Sequence, residues 1–263
     1  MKKRMNLPEY KNIPVHEYSN KTIKDIEIAI STEYPVLVML NGQPFITIAC
    51  SGNNMEELLT GHLVAEGVIE KTSDITQIEM DTNAMVAAVT VSPTEPVSRA
   101  LSRIPSLVTC GKGSKRELPA ENYVYRSLPD VRADVILDAM NTFLSQSSLH
   151  KKTHGVHSSA LVNIHGNQEA FFDEIGRHNA IDKVIGYAFT NNLALNDKMI
   201  LSTGRISSEI IMKSIFARVP VLVSRASPTT YCVDLIKKYN ILCICRTRNN
   251  SFIIINGENH VLT

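Results

Sequence analysis

The chain has 263 residues, 44% of them hydrophobic, enough to bury a full core in one large domain or two smaller ones. Its 27 Lys and Arg against 26 Asp and Glu leave a net charge of +1, too even a balance for nucleic acid or an anionic membrane surface as the main partner. The five cysteines at 50, 110, 232, 243 and 245 include no pair of CxxC motifs. With no leader pattern after Met1 and no apolar run near a membrane-spanning length, they predict a soluble cytoplasmic protein with reduced thiols.

In chain order, the β-rich runs 34–40 and 44–50 flank Asn41-Gly42, the strongest short hairpin signal. A helix is predicted from Met55, with Asn54 and Glu57 spaced as a capping box, Leu58, Leu59, His62, Leu63 and Glu66 in helical register, and Gly67 as its stop. Runs 77–80 and 84–91 around Asp81-Thr82-Asn83 form a second hairpin. This first part, residues 1–104, reads as a small α+β domain without obvious chemistry.

From 104 to 130 the periodicity stops and Pro105, Gly111, Gly113, Ser114, Pro119 and Pro129 crowd the chain, so 105–129 reads as an exposed loop between domains. Its middle holds Cys110 just ahead of Gly111 and Gly113 and near Lys112, Lys115 and Arg116, with no acid before Glu117. An ordinary thiol of pKa about 8.5 is only about 3% thiolate at pH 7, and a basic glycine loop raises that share, so Cys110 reads as a reactive nucleophile rather than a core cysteine.

Residues 130–263 read as an α/β domain. A helix over 130–145 turns Val135, Ile136, Ala139, Met140, Phe143 and Leu144 inward, and a hairpin of 160–164 and 169–173 follows. His154 and His157 are three apart, but the intervening Gly155 and the strand that follows speak against a helical metal pair, and His157 reads better as a donor or base facing substrate. The hairpin delivers the chain to DEIGRHNAIDKVIGYAF at 173–189, where Asp173, Arg177, His178, Asn179, Asp182 and Lys183 form a polar knot at a helix start with Asn179 as its cap. Strands 199–203, 221–225 and 241–245 then alternate with helices over 207–217 and from Ser227-Pro228 to Tyr239, a βαβαβ pattern that makes the strands parallel and gathers their exit loops on one edge. Those exits carry Ser202, Thr203, Gly204 and Arg205; Arg225; and Arg246, Thr247, Arg248, Asn249, Asn250 and Ser251. Guanidinium forks bind phosphate oxygens in pairs, so this edge is predicted to hold a phosphorylated, nucleotide-like ligand. Cys243 and Cys245 share one strand face and read as core.

The segments 173–189, LSTGRISSEI at 201–210 and VPVLVSRASPTT at 219–230, with Tyr34-Pro35-Val36 and Ala65-Glu66-Gly67-Val68-Ile69, resemble the formate dehydrogenase accessory sulfurtransferases over nearly the whole chain. The resemblance implies a small N-terminal α+β domain plus a three-layer domain similar to cytidine deaminase, in a homodimer. It implies a carrier that takes persulfide sulfur from a cysteine desulfurase and passes it to molybdenum cofactor, in its bis-molybdopterin guanine dinucleotide form, before insertion into the formate dehydrogenase catalytic subunit. Cys110-Gly111 stands where that family's Cys-Gly-X-Cys-Gly motif opens, and Gly113-Ser114 replace the second Cys-Gly, so any persulfide at Cys110 has no neighbouring thiol to resolve it. The family's Phe-Ala-Arg-Gly-X-Arg segment aligns with 246–251, where Arg248 alone keeps its identity. A non-catalytic chaperone that binds the cofactor without moving sulfur is the alternative. A hydrolytic deaminase, which the implied fold also suggests, needs a zinc-bound water held partly by PCxxC, and the sequence has no PCxxC, so no zinc is expected.

Overall fold

In the computed structural model, which describes residues 7–102, 106–108 and 123–263, the chain opens with an arm absent from the sequence reading. Strands β1 (Tyr10–Ser19) and β2 (Thr22–Ser31) form an antiparallel ladder that joins neither larger sheet, turned through Asn20 and Lys21 with φ of 50° and 62°.

β3 (Tyr34–Leu40) and β4 (Gln43–Cys50) meet through Asn41 and Gly42, both at positive φ, the two-residue turn that matches strand twist. Helix α1 (Met55–Ala65) follows, then β5 (Ile75–Asp81), β6 (Val86–Val91), α2 (Glu95–Leu101) and β7 (Ser106–Val108), giving a sheet of order β5-β6-β3-β4-β7. Gly67 at φ 66° ends α1 as expected, its amide bonding Val64 O and that of Val68 bonding Leu63 O. The capping box does not form, because Asn54 sits at φ 52° instead of the extended conformation that turns a cap side chain back onto the helix. β7 lies inside the stretch read as loop and adds to β4, which offers it an open edge.

The second part has β8 (Val131–Arg132), α3 (Ala133–Gln146), α4 (Ser148–Thr153), β9 (His157–Asn163), β10 (Gln168–Glu174), α5 (Arg177–Thr190), β11 (Lys198–Ser202), α6 (Ser208–Ala217), β12 (Val221–Ser224), α7 (Thr230–Lys238), β13 (Leu242–Arg248), β14 (Ser251–Asn256) and β15 (Val261–Leu262). Six strands run in the order β10-β9-β11-β12-β13-β14, and β11, β12 and β13 are parallel as the βαβαβ pattern requires. Strand residues alternate between two cores. Ala160, Val162, Met199, Leu201, Val221, Val223, Leu242 and Ile244 pack under α3, while Leu161, Ile200, Leu222 and Cys243 pack under α5, α6 and α7. Burial on both faces explains why these strands read as unbroken apolar runs.

Three helix starts differ from the sequence reading, the first being α3, which begins at Ala133 rather than 130 because Val131 and Arg132 pair with β15. α5 begins at Arg177 with Gly176 as its cap, because the Asn179 amide is committed to β4, donating to Ala49 O at 2.7 Å. α7 begins after Thr229 rather than at Ser227, because Ser227 and Thr229 bond the backbone of Ile206 in the neighbouring loop.

The two sheets share one core. A continuous buried cluster includes Val36, Leu58 and Val89 of the first part with Ile181, Ile211 and Leu235 of the second. Its tightest point is α1 against α5, where a Cβ on Gly61 would lie 1.7 Å from Asp182 O and one on Gly186 would lie 1.8 Å from Glu57 O. The helices therefore touch backbone to backbone, which only glycine allows. No helix among the described residues is long and apolar enough to cross a membrane.

Candidate functional site

The parallel strands β11, β12 and β13 all end on one edge, and β9 and β10 bring two more positions to it. Because β9 runs against β11 with Ser159 opposite Ser202, and β10 against β9 with Glu174 opposite His157, the edge also receives His157 and the start of α5. The register Val223↔Ile244 sets Arg225 level with Arg246. The three arginine-bearing exits expected from the sequence are thus neighbours in space.

Two serines fix the backbone of these exits. Ser202 and Ser224 are paired ends of β11 and β12, each buried, and each hydroxyl accepts the amide two residues on: Gly204 N at 3.1 Å and Ala226 N at 3.0 Å. Ser224 Oγ also donates to Gly204 O at 2.7 Å, and Arg225 N bonds Ser202 O at 3.1 Å. Ser202 is therefore a brace under the loops rather than a contact above them. Of the arginines, Arg246 is held by Ser227 Oγ at 2.9 Å, whereas the exposed side chains of Arg205, Arg225 and Arg248 make no hydrogen bond or ion pair among the described residues. Rigid backbones carrying unspent guanidinium groups suit an anionic ligand.

Arg177 and His157 line the β9 side of the edge. A Cβ on Gly204 would lie 2.8 Å from Arg177 Cβ and Cδ, so this loop closes over Arg177 only because residue 204 is glycine. Arg177 Nε is buried with no partner among the described residues, an open donor. His157 Nδ1 lies 3.3 Å from Thr203 Oγ1, which also accepts the Ser158 amide at 3.1 Å. Burial, then the charges of Arg177 and His150, push the His157 imidazole below its ordinary value, so it is neutral at pH 7 and able to accept or donate a hydrogen bond.

The stretch 246–251 is not a loop. Arg246 and Thr247 belong to β13, Asn249-Asn250 form a tight turn with Asn249 at φ 45°, and Arg248 pairs with Ser251 of β14. Asparagine tolerates the left-handed turn, so the hairpin continues past the sheet edge with Arg246 at φ 51° as a bulge. Asn249, Asn250 and Ser251 are exposed at its tip, while Thr247 is buried, its Oγ1 without a partner among the described residues.

The polar knot divides. Arg177 alone belongs to the edge; Asn179, Asp182 and Lys183 tie the two sheets together, and His178 and Asp173 bond within the second part. Asp182 is buried and bonds Lys213 Nζ at 2.5 Å and His62 Nδ1 at 3.2 Å. Burial pushes its carboxyl up, but the Lys213 ammonium and His62 more than offset this and hold it below the usual range. Lys183, equally buried, bonds Glu174 Oε1 and Ser51 Oγ, both at 3.0 Å, and Glu174 also accepts the Ser51 amide. His178 Nε2 meets Ser207 Oγ at 2.9 Å and Glu209 at 3.1 Å. Asp182, Lys183, His178 and Asn179 are thus spent on structure and are not available to cargo. The sequence reading missed the partners Ser51, Glu174 and Lys213, which lie far along the chain. It also missed Asp173 as a clasp, accepting Ser158 Oγ at 2.6 Å and Ser147 Oγ at 2.8 Å.

Four of the five cysteines, Cys50, Cys232, Cys243 and Cys245, are free and buried. Burial, then the Glu174 carboxylate, push the Cys50 thiol up to about 12, and burial raises Cys243 and Cys245 as well. Cys110 lies outside the described residues. Among the described residues, no three His, Cys, Asp or Glu side chains gather as a metal-binding group.

Comparison with known proteins agrees with this architecture. Residues 31–262 match the model of the FdhD/NarQ family, a match that begins where the β1–β2 arm ends. The sulfur carrier protein FdhD of Bacillus licheniformis is 31% identical, over 90% of this chain and 92% of that protein. The protein of the same name from Staphylococcus aureus is 30% identical over 95% of both chains. A crystal structure of a formate dehydrogenase accessory protein from Desulfotalea psychrophila shares the fold with a TM-score of 0.79, covering 97% of this chain and 100% of that one at 20% identity. The chain belongs to the FdhD/NarQ family.

Proposed function

We propose that this protein is a sulfur carrier in formate dehydrogenase maturation, in which Cys110 accepts sulfur from a cysteine desulfurase and delivers it to molybdenum cofactor held at the arginine edge. The observation that carries the sulfur reading is elimination: four of five thiols are buried, and only Cys110 remains to meet another protein. Its neighbours Lys112, Lys115 and Arg116 favour the thiolate. That thiolate attacks the outer sulfur of the desulfurase persulfide; the S–S bond breaks, the desulfurase thiolate leaves, and Cys110 holds the persulfide.

The edge supports a cargo with phosphates, such as the guanine dinucleotide form of the cofactor. Arg205, Arg225 and Arg248 offer charge that no protein carboxylate neutralises among the described residues, Arg177 offers a buried open donor, and neutral His157 with Thr203 offers polar contacts beside it. These groups bind and orient the cargo.

The test is to incubate the protein with a cysteine desulfurase and cysteine and to weigh the Cys110 peptide without reductant. A gain of one sulfur atom, absent from Cys110→Ala, is expected. No gain with guanine nucleotide still bound would favour a chaperone that holds cofactor without moving sulfur, a reading that the missing second motif cysteine keeps in play.

A further inference from the structure

Five of the eight exposed large hydrophobic side chains among the described residues, Ile13, Tyr18, Ile23, Ile28 and Ile30, sit on the β1–β2 arm. None of the arm's residues enters either buried core cluster. Among the described residues the arm is anchored only near its base, where Ser31 Oγ donates to Thr153 Oγ1 at 2.9 Å and Lys152 Nζ lies 5.1 Å from the centre of the Tyr10 ring. A two-stranded ribbon is marginal alone, and exposed apolar surface of this kind marks an interaction site.

We propose that the arm is the surface on which a second copy of this chain docks. The ladder places Ile13 opposite Ile28 and Val15 opposite Ile26 on one face, bounded by Lys11 beside Ile30 at the base and by Glu17 beside Lys24 toward the tip. When two such faces stack about a twofold axis lying across the strands, midway between the Ile13 and Val15 rows, the aliphatic rows cover one another. The same rotation sets Lys11 of each copy over Glu17 of the other, twice by symmetry, and Ile30 over the methylene stem of Lys24, so the face pairs opposite charges along β1 and apolar surface along β2.

The area sets a further condition. Ten residues per strand give a face roughly 34 Å by 10 Å, about 340 Å² per copy, below the roughly 800 Å² that each partner contributes to a stable interface. The tip must therefore be covered too, and it carries the most exposed pair: Tyr18 at 72% and Ile23 at 70%, opposite each other on the reverse face. The arm is accordingly gripped, one face against the partner's arm and its tip against the partner's body. The resemblance to the accessory sulfurtransferases implies two copies but assigns no surface, and the arm lies ahead of the residues that match the family model.

Sedimentation of the full chain at micromolar concentration tests this. Wild type should run near twice 29.2 kDa. Ile13→Glu combined with Ile28→Lys, which keeps opposite charges across the ladder, should give monomer with an unchanged circular dichroism spectrum, and so should Tyr18→Ser with Ile23→Ser. Lys11→Glu and Glu17→Lys should each weaken the dimer about tenfold, and mixing these two variants should restore it as a heterodimer. A monomeric wild type, or a dimer indifferent to the aliphatic variants, overturns the proposal. Dissociation by the aliphatic variants without rescue in the mixture overturns the twofold register. Persulfide loading of Cys110 is read separately, so either claim can fail alone.

Discussion

Gly186→Ala tests whether the two sheets form one cooperative body through α1 and α5. Alanine is the better helix former, so on propensity alone the change stabilises by about 1 kcal/mol. The new Cβ, however, would lie 1.8 Å from Glu57 O, a backbone carbonyl of α1 that no rotamer can move. Restoring ordinary contact shifts one helix by roughly 1.5 Å, and gaps of 0.5–1 Å already forfeit about a quarter to a half of each dispersion contact. Leu58, Ile181, Val184 and Ile185 lie in the cluster that opens, each fully or nearly fully buried. With tens of contacts per side chain, the loss is about 4–6 kcal/mol, and the net destabilisation after the propensity gain is about 3–5 kcal/mol. For a chain of this size that lowers Tm by roughly 6–15 °C, read by calorimetry or by circular dichroism with temperature. A Tm equal to wild type or higher would mean that the backbones do not touch and would refute the shared-core account.

The buried ion pairs make companion predictions. Lys183→Met strands Glu174 in the interior and should cost about 3–5 kcal/mol in urea unfolding. Asp182→Asn leaves Lys213 unpaired and should cost a similar amount at pH 7. Because the folded state holds the Asp182 carboxyl below its unfolded value, this stabilisation is present above about pH 4 and is lost as pH falls through the folded value, so the gap between variant and wild type should close in acid. The His157 ring should titrate below 6.5 by NMR, and Arg177→Gln should raise its midpoint by removing one of the charges that depress it. Cys110→Ala should abolish formate dehydrogenase maturation while leaving guanine nucleotide affinity intact.

What the sequence revealed depended on whether the determining neighbours were local. Asn41-Gly42 fixed its hairpin because two adjacent residues supply both positive φ angles, and the βαβαβ order fixed the arginine edge because crossover handedness is general. The knot at 173–183 misled because a polar residue looks alike whether it meets cargo or a buried partner; the partners of Lys183 and Asp182, Ser51 and Lys213, lie 132 and 31 residues away. The Arg246 stretch was read as loop because polar, turn-prone residues hid a strand running past the sheet edge. The arm was legible: Ile26, Ile28 and Ile30 alternate beyond Ser19-Asn20-Lys21-Thr22, but Pro14 and interleaved charges mask the pattern on β1.

One edge of the six-stranded sheet presents guanidinium groups that no described residue engages, and the proposed function puts phosphorylated cargo there. Calorimetric titration of guanosine diphosphate into wild type and into Arg225→Ala/Arg248→Ala measures that most directly. Loss of two charge-assisted contacts should weaken binding by at least about tenfold, with Tm unchanged because neither side chain is bonded to the described protein. Equal affinity in the two proteins would contradict the claim.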